Sequence, residues 1–133
     1  MCIRDSLKSN ALHSENYVLS QAVADQINTV KSRGGRVIAV GTTVARTLES
    51  VWLESNAICA TSTDTRLFIR DNFQFRVIDG LLTNFHLPRS SLLMLVSAFA
   101  GYEKTMSAYR HAVDEGYRFY SYGDAMLILD PIL

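Results

Sequence analysis

The sequence predicts an α/β fold, a layered sandwich with a mixed sheet and helices packed on it. Three observations support this prediction. Short apolar segments of strand length alternate with segments of helical periodicity along the 133 residues. Glycines stand after several of the helical segments, where a left-handed backbone ends a helix at little cost. Hydrophobic residues make up 48% of the chain, which is enough for a sizeable core in one domain.

The first half of the chain contains two predicted strand–helix pairs. Residues 13–19 form a short strand, and Ser20 caps a helix that continues to about Arg33. Residues 36–40, RVIAV, form a buried strand, and Gly41 turns the chain directly into a second helix. The apolar residues expected on the buried faces of these helices are Ala22, Val23, Ile27, Val30, Val44, Leu48, Val51 and Trp52.

A polar loop at 54–63 precedes a predicted hairpin at 65–78, which turns at Asp71 and Asn72. Alternation along the hairpin separates its residues into two faces. The residues expected to point inward are Leu67, Ile69, Phe73, Phe75 and Val77. The residues expected on the other face are Arg66, Phe68, Arg70, Gln74 and Arg76.

The last third of the chain contains two predicted helices and a terminal strand region. Ser90 or Ser91 caps a helix that is apolar nearly all round and therefore buried. An amphipathic helix covers 102–115, with Tyr102, Met106, Tyr109 and Val113 on its apolar side. Residues 117–129 form one or two strands broken near Gly123 and Asp124.

The composition argues against several classes of protein. Thirteen basic residues balance thirteen acidic ones, so the chain does not wrap nucleic acid by bulk charge. Its two cysteines have no metal-ligand spacing with the histidines, which favours a reduced, cytoplasmic setting. The longest strongly apolar run, 92–100, is far shorter than the ~20 residues of a membrane span. The opening MCIRDS matches no secretory leader, and we interpret residues 1–8 as a non-native leader.

The segment VIAVGTT, residues 37–43, is a strand–glycine–helix junction that predicts an anion site. The N–H groups of a helix N-terminus attract anions, and Gly41 allows a ligand to approach closely. Thr42 and Thr43 add hydroxyl groups, and Arg46 lies one turn along the helix. Neither G-x-G-x-x-G nor a Walker lysine is present. The alternative interpretation is simple capping of the helix.

The segment DGLLTNFHLPRS, residues 79–90, predicts a site loop at the carboxyl edge of the sheet, where α/β proteins bind ligands. His86 can exchange protons near neutral pH, and Asp79 can orient a donor. The alternative is that Thr83 and Asn84 cap turn backbone while His86 is a hydrogen-bonded core histidine.

Two further groups of residues contain side chains that can take part in proton transfer or in binding a nucleic acid. His13 and Glu15 are two residues apart on a strand and so share a face, as a proton-transfer pair or as a surface pair. The hairpin face that carries arginines and Phe68 suits phosphates and a stacked base, or is a solvated surface. Asp124, after a glycine, is most simply part of a turn.

Four segments together resemble one family. They are HSENY, GTTVARTLES, DGLLTNFHLPRSSLLMLVSAFAG and YRFYSYGDAMLI, in this order and at this spacing. The set is similar to the carboxyl-terminal portion of S-adenosylmethionine:tRNA ribosyltransferase-isomerases of queuosine biosynthesis, over roughly residues 9–129. Family members are longer, with an α/β main domain interrupted by a β-barrel domain. The resemblance therefore implies that residues 9–133 are the carboxyl-terminal part of the main domain, without its amino-terminal half and the barrel.

The resemblance also implies a reaction and its partners. The ribosyl part of S-adenosylmethionine is transferred to 7-aminomethyl-7-deazaguanine in tRNA and isomerised, giving epoxyqueuosine, adenine and methionine. S-adenosylmethionine is consumed as a substrate, and no cofactor, metal or membrane is expected. Family members are expected to be monomeric. One alternative is that the chain has no catalytic activity and is an inactive fragment or a module that binds nucleic acid or nucleosides. A second alternative is an unrelated nucleoside-binding α/β enzyme.

The chemistry of that reaction selects candidate residues from the matched motifs. The expected acid and base groups are His86, Asp79, His13 and Glu15. The expected substrate-binding residues are Gly41, Thr42, Thr43, Arg46, Thr83, Asn84, Phe85 and Tyr122, with Phe85 and Tyr122 stacking on bases. The expected RNA-binding residues are Arg66, Arg70, Arg76 and Arg89.

Overall fold

The computed structural model describes residues 15–65, 69, 73–86, 90–119 and 123–129. Strands and helices alternate through this part of the chain, which confirms the predicted α/β class. The strands are β1 (Glu15–Leu19), β2 (Ile38–Val40), β3 (Thr61–Thr65), β4 (Gly80–Asn84) and β5 (Ala125–Leu129). The helices are α1 (Gln21–Ser32), α2 (Thr42–Ser55), α3 (Ser91–Ala100) and α4 (Tyr102–Asp114).

The sheet that positions the site is mixed, as the sequence predicts. Its strand order is β2-β4-β5, with β2 parallel to β4 and β5 antiparallel to β4. A separate antiparallel pair joins β1 to β3. The β2–α2–β4 connection makes the central pair parallel, and this places the carboxyl ends of both strands at one edge of the sheet.

The helix ends follow the local sequence. The Ser20 hydroxyl accepts a hydrogen bond from the backbone N–H of Val23 at 3.2 Å, and the Ser90 hydroxyl accepts one from Leu93 at 3.0 Å. Both bonds satisfy a donor of the first helical turn, so both predicted caps are confirmed. Gly101 lies between α3 and α4 with φ of 95°, a conformation that glycine adopts at little cost.

The predicted hairpin at 65–78 is wrong where the structure describes it. Residues 61–63, expected to be the end of a polar loop, belong to strand β3, and residues 73–79 form no strand. The turn and most of the first arm, at 66–68 and 70–72, lie outside the described residues. Ile69 and Val77 are buried, as the alternation predicts.

A buried carboxylate explains why the backbone at 76–78 is not in a sheet. Glu49 on α2 is 1% exposed, and its two carboxylate oxygens accept the N–H groups of three successive residues. The N–O distances are 2.7 Å from Arg76, 2.9 Å from Val77 and 3.0 Å from Ile78. Because these donors are satisfied by a side chain, the segment needs no neighbouring strand.

The apolar periodicity predicts the buried faces of the helices only in part, because Ile27, Leu48, Val51 and Tyr109 are buried but other predicted positions are not. Val23, Val44 and Val113 are each more than 40% exposed, although the sequence places them on buried faces. The buried positions include the small residues Ala24 and Ala45. Small side chains allow a helix to approach its neighbours closely, and this contact decides which face of the helix is inward.

The two faces of the β2-β4-β5 sheet differ in their packing. One face lies in the core, with Ala39 and Leu81 fully buried. The opposite face is apolar but open, because its residues Ile38, Val40, Leu127 and Leu129 are 38–64% exposed. The register places these side chains in adjacent rows across the strands. The prediction that residues 36–40 form a buried strand is therefore confirmed for one face of the strand and wrong for the other. We call this open surface the apolar sheet face.

Candidate functional site

Two of the sequence motifs meet in a cleft of about 360 Å³. One motif follows β2 and the other ends β4, and the parallel pairing of these strands brings both to the same edge of the sheet. The residues that line the cleft are Val40, Gly41, Thr42, Thr43, Val44, Leu82, Thr83, Asn84, His86 and Ala125. Ligands of open α/β sheets bind at this position, outside the carboxyl ends of the strands. We call it the strand-end cleft.

The amino-terminal end of α2 forms one wall of the strand-end cleft. Gly41 is the N-cap residue with φ of 100°, and its N–H donates to the carbonyl oxygen of Leu82 at 2.8 Å. This bond joins the turn to β4 and fixes the start of the helix. Because Gly41 has no side chain to cap the first turn, the positive end of α2 faces the cleft without a capping side chain from that position.

His86 forms the opposite wall, and two hydrogen bonds fix its position. Its Nε2 lies 2.7 Å from Thr83 Oγ1, with donor and acceptor roles set by the tautomer. Its backbone N–H donates to the hydroxyl of Tyr109 on α4 at 2.8 Å. The half-buried environment lowers the pKa of His86 from its ordinary value of 6.5, because desolvation disfavours the imidazolium. The ring is therefore neutral at neutral pH and is available as a proton acceptor.

Phe85 and His86 point to opposite sides of the extended segment after β4. Phe85 is 3% exposed and its ring makes edge-to-face contact with Tyr109 at 5.3 Å between centroids. It also packs against Tyr117 and Phe119, so its ring belongs to an aromatic cluster and not to the cleft. Phe85 was expected to stack on a base, and this expectation is wrong because its ring is packed in the core. The imidazole of His86, by contrast, lines the strand-end cleft.

Asp79 lies at the other end of β4 from the cleft. The segment 79–90, predicted to be a loop, contains strand β4 itself. Seven residues of extended chain put Asp79 roughly 20 Å from His86. Asp79 Oδ2 accepts the N–H of Val37 at 2.8 Å and lies 3.6 Å from Lys31 Nζ. These contacts join the start of β4 to the entry of β2 and to α1. Asp79 is therefore not placed with His86 as an orienting carboxylate.

Arg46 is placed in the core. Its side chain is 1% exposed, and it is not among the residues that line the strand-end cleft. Burial lowers the pKa of Arg46 below its ordinary value, because desolvation disfavours the charged guanidinium. The helical period explains this position, because Arg46 lies on the same side of α2 as the buried Ala45 and Glu49. The expected anion contact at the cleft is therefore not the position in which the structure places Arg46.

The remaining candidate site residues fall into two groups, those outside the described residues and those within them. His13, Arg66, Arg70, Arg89 and Tyr122 lie outside the described residues, and so does the side chain of Glu15. The described ones are in two places. Asn84 is exposed and lines the strand-end cleft, and Arg76 is exposed beside the carboxyl end of α2.

Sequence reasoning missed two residues that organise the site. Tyr109 was expected only to pack, but its hydroxyl holds the backbone of His86. Glu49 was not singled out, although it follows Leu48 and lies four residues after Ala45, on the inward side of α2. A carboxylate at an inward helical position is a signal that backbone donors converge on it, since buried charges are hydrogen-bonded.

Two absences among the described residues bear on the site. Across these segments, three or more histidine, cysteine, aspartate or glutamate side chains nowhere gather as they would around a metal ion. In the same part of the chain, every helix is too short or too polar to cross a bilayer.

Known proteins are similar to this chain in sequence and in fold. A family model described as queuosine biosynthesis protein matches residues 2–128, beginning inside the segment interpreted as a leader. An S-adenosylmethionine:tRNA ribosyltransferase-isomerase of Thermus thermophilus is 54% identical over 127 residues, which are 96% of this chain and 37% of that protein. Its namesake from Moorella thermoacetica is 57% identical over 125 residues, 94% of this chain and 36% of that protein.

The structural comparison agrees with the sequence comparison. A solved structure of S-adenosylmethionine tRNA ribosyltransferase from Thermotoga maritima superposes with a TM-score of 0.82 and 48% identity. The match covers 86% of this chain and 40% of that chain. This chain thus spans little more than a third of the length of the curated relatives.

Proposed function

This chain belongs to the queuosine biosynthesis protein family, and on that premise we propose that it contributes to ribosyl transfer from S-adenosylmethionine to 7-aminomethyl-7-deazaguanine in tRNA. The ribosyl group is isomerised in the reaction, which gives epoxyqueuosine and releases adenine and methionine. The sulfonium of S-adenosylmethionine activates the transferred carbon, so the reaction needs no further cofactor. The proposal includes a cytoplasmic location, where the tRNA substrate is present.

The observation that carries the proposal is the convergence of a helix N-terminus and a neutral histidine in the strand-end cleft. The substrate has an anionic carboxylate on its methionine part, and tRNA has phosphates. The positive end of α2, with Thr42 and Thr43 in its first turn, suits either group.

His86 has the properties of the base that the reaction needs. A proton on the carbon next to the sulfonium must be removed, and a neutral imidazole accepts it and becomes an imidazolium. Returning that proton to the departing adenine restores the neutral ring, so one residue serves both proton transfers. The hydrogen bond between the ring and Thr83 holds the imidazole, and the one from the His86 N–H to Tyr109 holds the backbone.

The test replaces His86 in a chimera in which this sequence substitutes for the matching part of the Thermus thermophilus relative. We expect His86→Gln, which cannot titrate, to lower kcat for adenine release roughly tenfold or more, with little change in melting temperature. The matched control is His111→Gln, because His111 is exposed on α4 and away from the cleft. A core histidine without a catalytic role would show the opposite, a lower melting temperature and near-normal kcat.

The pH dependence gives a second measurement on the same chimera. Burial lowers the pKa of His86, so the base stays deprotonated below pH 6.5 and kcat/KM should fall only as the pH drops through that lowered pKa. The contribution of neutral His86 to folding stability depends on pH in the same direction. It is complete above pH 6.5 and is lost as the pH falls through the lowered pKa. A kcat/KM profile whose acidic limb is unchanged in His86→Gln would remove His86 from the proton transfer.

The 133-residue chain alone should release no adenine from S-adenosylmethionine with precursor tRNA. The reason is that almost two thirds of the length of the curated relatives lies outside the match. Clear turnover by the isolated chain would show that the matched part is sufficient. If the chimera, too, binds S-adenosylmethionine but releases no adenine, the non-catalytic binding module is the better description.

A further inference from the structure

A second concave surface lies at the carboxyl end of α2. It has a volume of about 660 Å³ and is formed by the last turn of α2 and the segment after residue 72. Its lining residues are Trp52, Leu53, Asn56, Phe73, Gln74 and Arg76. Because α2 has 14 residues and a helix rises ~1.5 Å per residue, this groove is roughly 20 Å from the strand-end cleft. We call it the Trp52 groove.

The floor of the Trp52 groove is aromatic and anchored. Trp52 and Phe73 are both half-buried, so each ring combines core contacts with surface in the groove. Phe73 makes edge-to-face contact with Phe75 at 4.9 Å between centroids, and Phe75 makes the same kind of contact with Phe99 at 5.1 Å. The rings are therefore held by the core and provide a rigid stacking surface.

The rim of the groove is polar and positively charged. Arg76 is the one ionisable side chain among the six lining residues, and it is exposed. Its backbone N–H donates to Glu49 at 2.7 Å, so the guanidinium extends from a fixed point of the main chain. Asn56 and Gln74 add exposed amide groups that can both donate and accept hydrogen bonds.

We propose that the Trp52 groove binds one single-stranded nucleotide of the RNA substrate, with its base stacked on Trp52 and its phosphate at Arg76. This inference rests on the proposed function, which supplies RNA as the partner. An aromatic surface beside a guanidinium is the combination that binds single-stranded nucleic acid with little sequence preference. The chain has no net charge, so attraction to a phosphate backbone has to come from local positions such as this one.

The distance between the two sites defines the role of the groove. A nucleotide bound roughly 20 Å from the strand-end cleft is not the nucleotide that reacts. It is a neighbour on the same RNA strand, and holding it fixes the position of the strand while the modified base occupies the cleft. Trp52 and Arg76 are thus RNA-positioning residues, and removing them should raise KM for tRNA more than it lowers kcat.

The fluorescence of Trp52 can be used to detect contact between Trp52 and RNA, because Trp52 is the one tryptophan in the sequence. We expect a short single-stranded RNA of mixed sequence to quench the tryptophan fluorescence of the 133-residue chain in a saturable way. N-acetyltryptophanamide corrects for absorption by the RNA. Anisotropy of a labelled RNA then measures affinity for variants, and we expect Trp52→Leu to weaken binding roughly tenfold.

Arg76→Gln tests the phosphate contact, with Arg36→Gln as the matched control at another exposed arginine. Loss of one phosphate contact should reduce the slope of log affinity against log salt by about 0.7, and the control should leave the slope unchanged. Equal losses in both variants would show bulk charge attraction and overturn the proposal. Fluorescence that stays constant at saturating RNA would also overturn it.

The chimera separates this inference from the proposed function. If Trp52→Leu and Arg76→Gln leave KM for tRNA unchanged while the chimera still releases adenine, the groove inference fails and the proposed function stands. If the labelled RNA binds as expected but no adenine is released, the proposed function fails and the groove remains an RNA site. If the additional chain of the chimera shields Trp52 from acrylamide, the groove is a protein interface and the proposal is wrong.

Discussion

Replacing Glu49 tests how the segment that carries Arg76 is held. In Glu49→Ala the three backbone N–H groups of residues 76–78 lose their acceptor. Arg76 is exposed, so its N–H can bond to water instead. Val77 and Ile78 are 0% and 4% exposed, so their donors are left buried without that partner.

The structure sets the size of the expected loss. An unsatisfied buried donor costs about 1–3 kcal/mol, and two such donors are created, which gives about 2–6 kcal/mol. The relief of the desolvation cost of a buried carboxylate offsets part of this loss. We therefore expect a net decrease of about 3 kcal/mol in the free energy of unfolding, a large share of the ~5–15 kcal/mol of a typical domain.

Urea denaturation at neutral pH, followed by circular dichroism, measures this change. The control is Glu54→Ala, an exposed glutamate on the same helix, which should shift the free energy of unfolding by less than about 0.5 kcal/mol. Glu49→Gln should fall between the two, because an amide retains one acceptor oxygen. A Glu49→Ala variant within about 0.5 kcal/mol of the parent chain would refute the hydrogen-bond argument.

Three further predictions concern β4 and its surroundings. Tyr109→Phe removes the acceptor of the His86 N–H, and we expect the chimera to show a lower kcat at unchanged KM for S-adenosylmethionine; an unchanged kcat would limit Tyr109 to packing. Asp79→Asn keeps an acceptor for Val37 and loses a partly exposed ion pair, so stability should fall by less than about 1 kcal/mol with kcat unaffected, and a tenfold fall in kcat would return Asp79 to catalysis. Gly80→Ala would place a methyl group 3.1 Å from a backbone oxygen of β5, and urea denaturation should show a loss of about 1–3 kcal/mol; an unchanged midpoint would mean that the strands separate easily.

Local signals in the sequence predicted the parts of the fold that local chemistry decides. Ser20 and Ser90 cap helices because a hydroxyl satisfies a first-turn donor whatever surrounds it. The strand–glycine–helix junction at Gly41 followed from pattern, whereas β4 was not predicted, because residues 79–90 were interpreted as a loop. The sequence placed the His86 motif at the carboxyl edge of the sheet, but it did not show that the start of α2 meets His86 there.

The failures of prediction all involve partners that are distant in sequence. The polar segment 61–65 is a strand because β1 pairs with it, and nothing in its own composition indicates that partner. Residues 76–78 leave the sheet because Glu49, on another element, takes their donors. Arg46 and Phe85 were assigned by residue type to a ligand, but tertiary packing places both in the core.

The apolar sheet face has a consequence for how this chain behaves in solution. Ile38, Val40, Leu127 and Leu129 present aliphatic surface to water in register across the strands. Hydration of such surface becomes less favourable as the temperature rises from near freezing to room temperature. Contact between two copies of the face is therefore driven by entropy and is accompanied by a negative heat-capacity change. We expect light scattering from the isolated chain to rise on warming from near freezing to room temperature and on addition of ammonium sulfate. Cold, low-salt buffer is accordingly the condition in which it should remain dispersed.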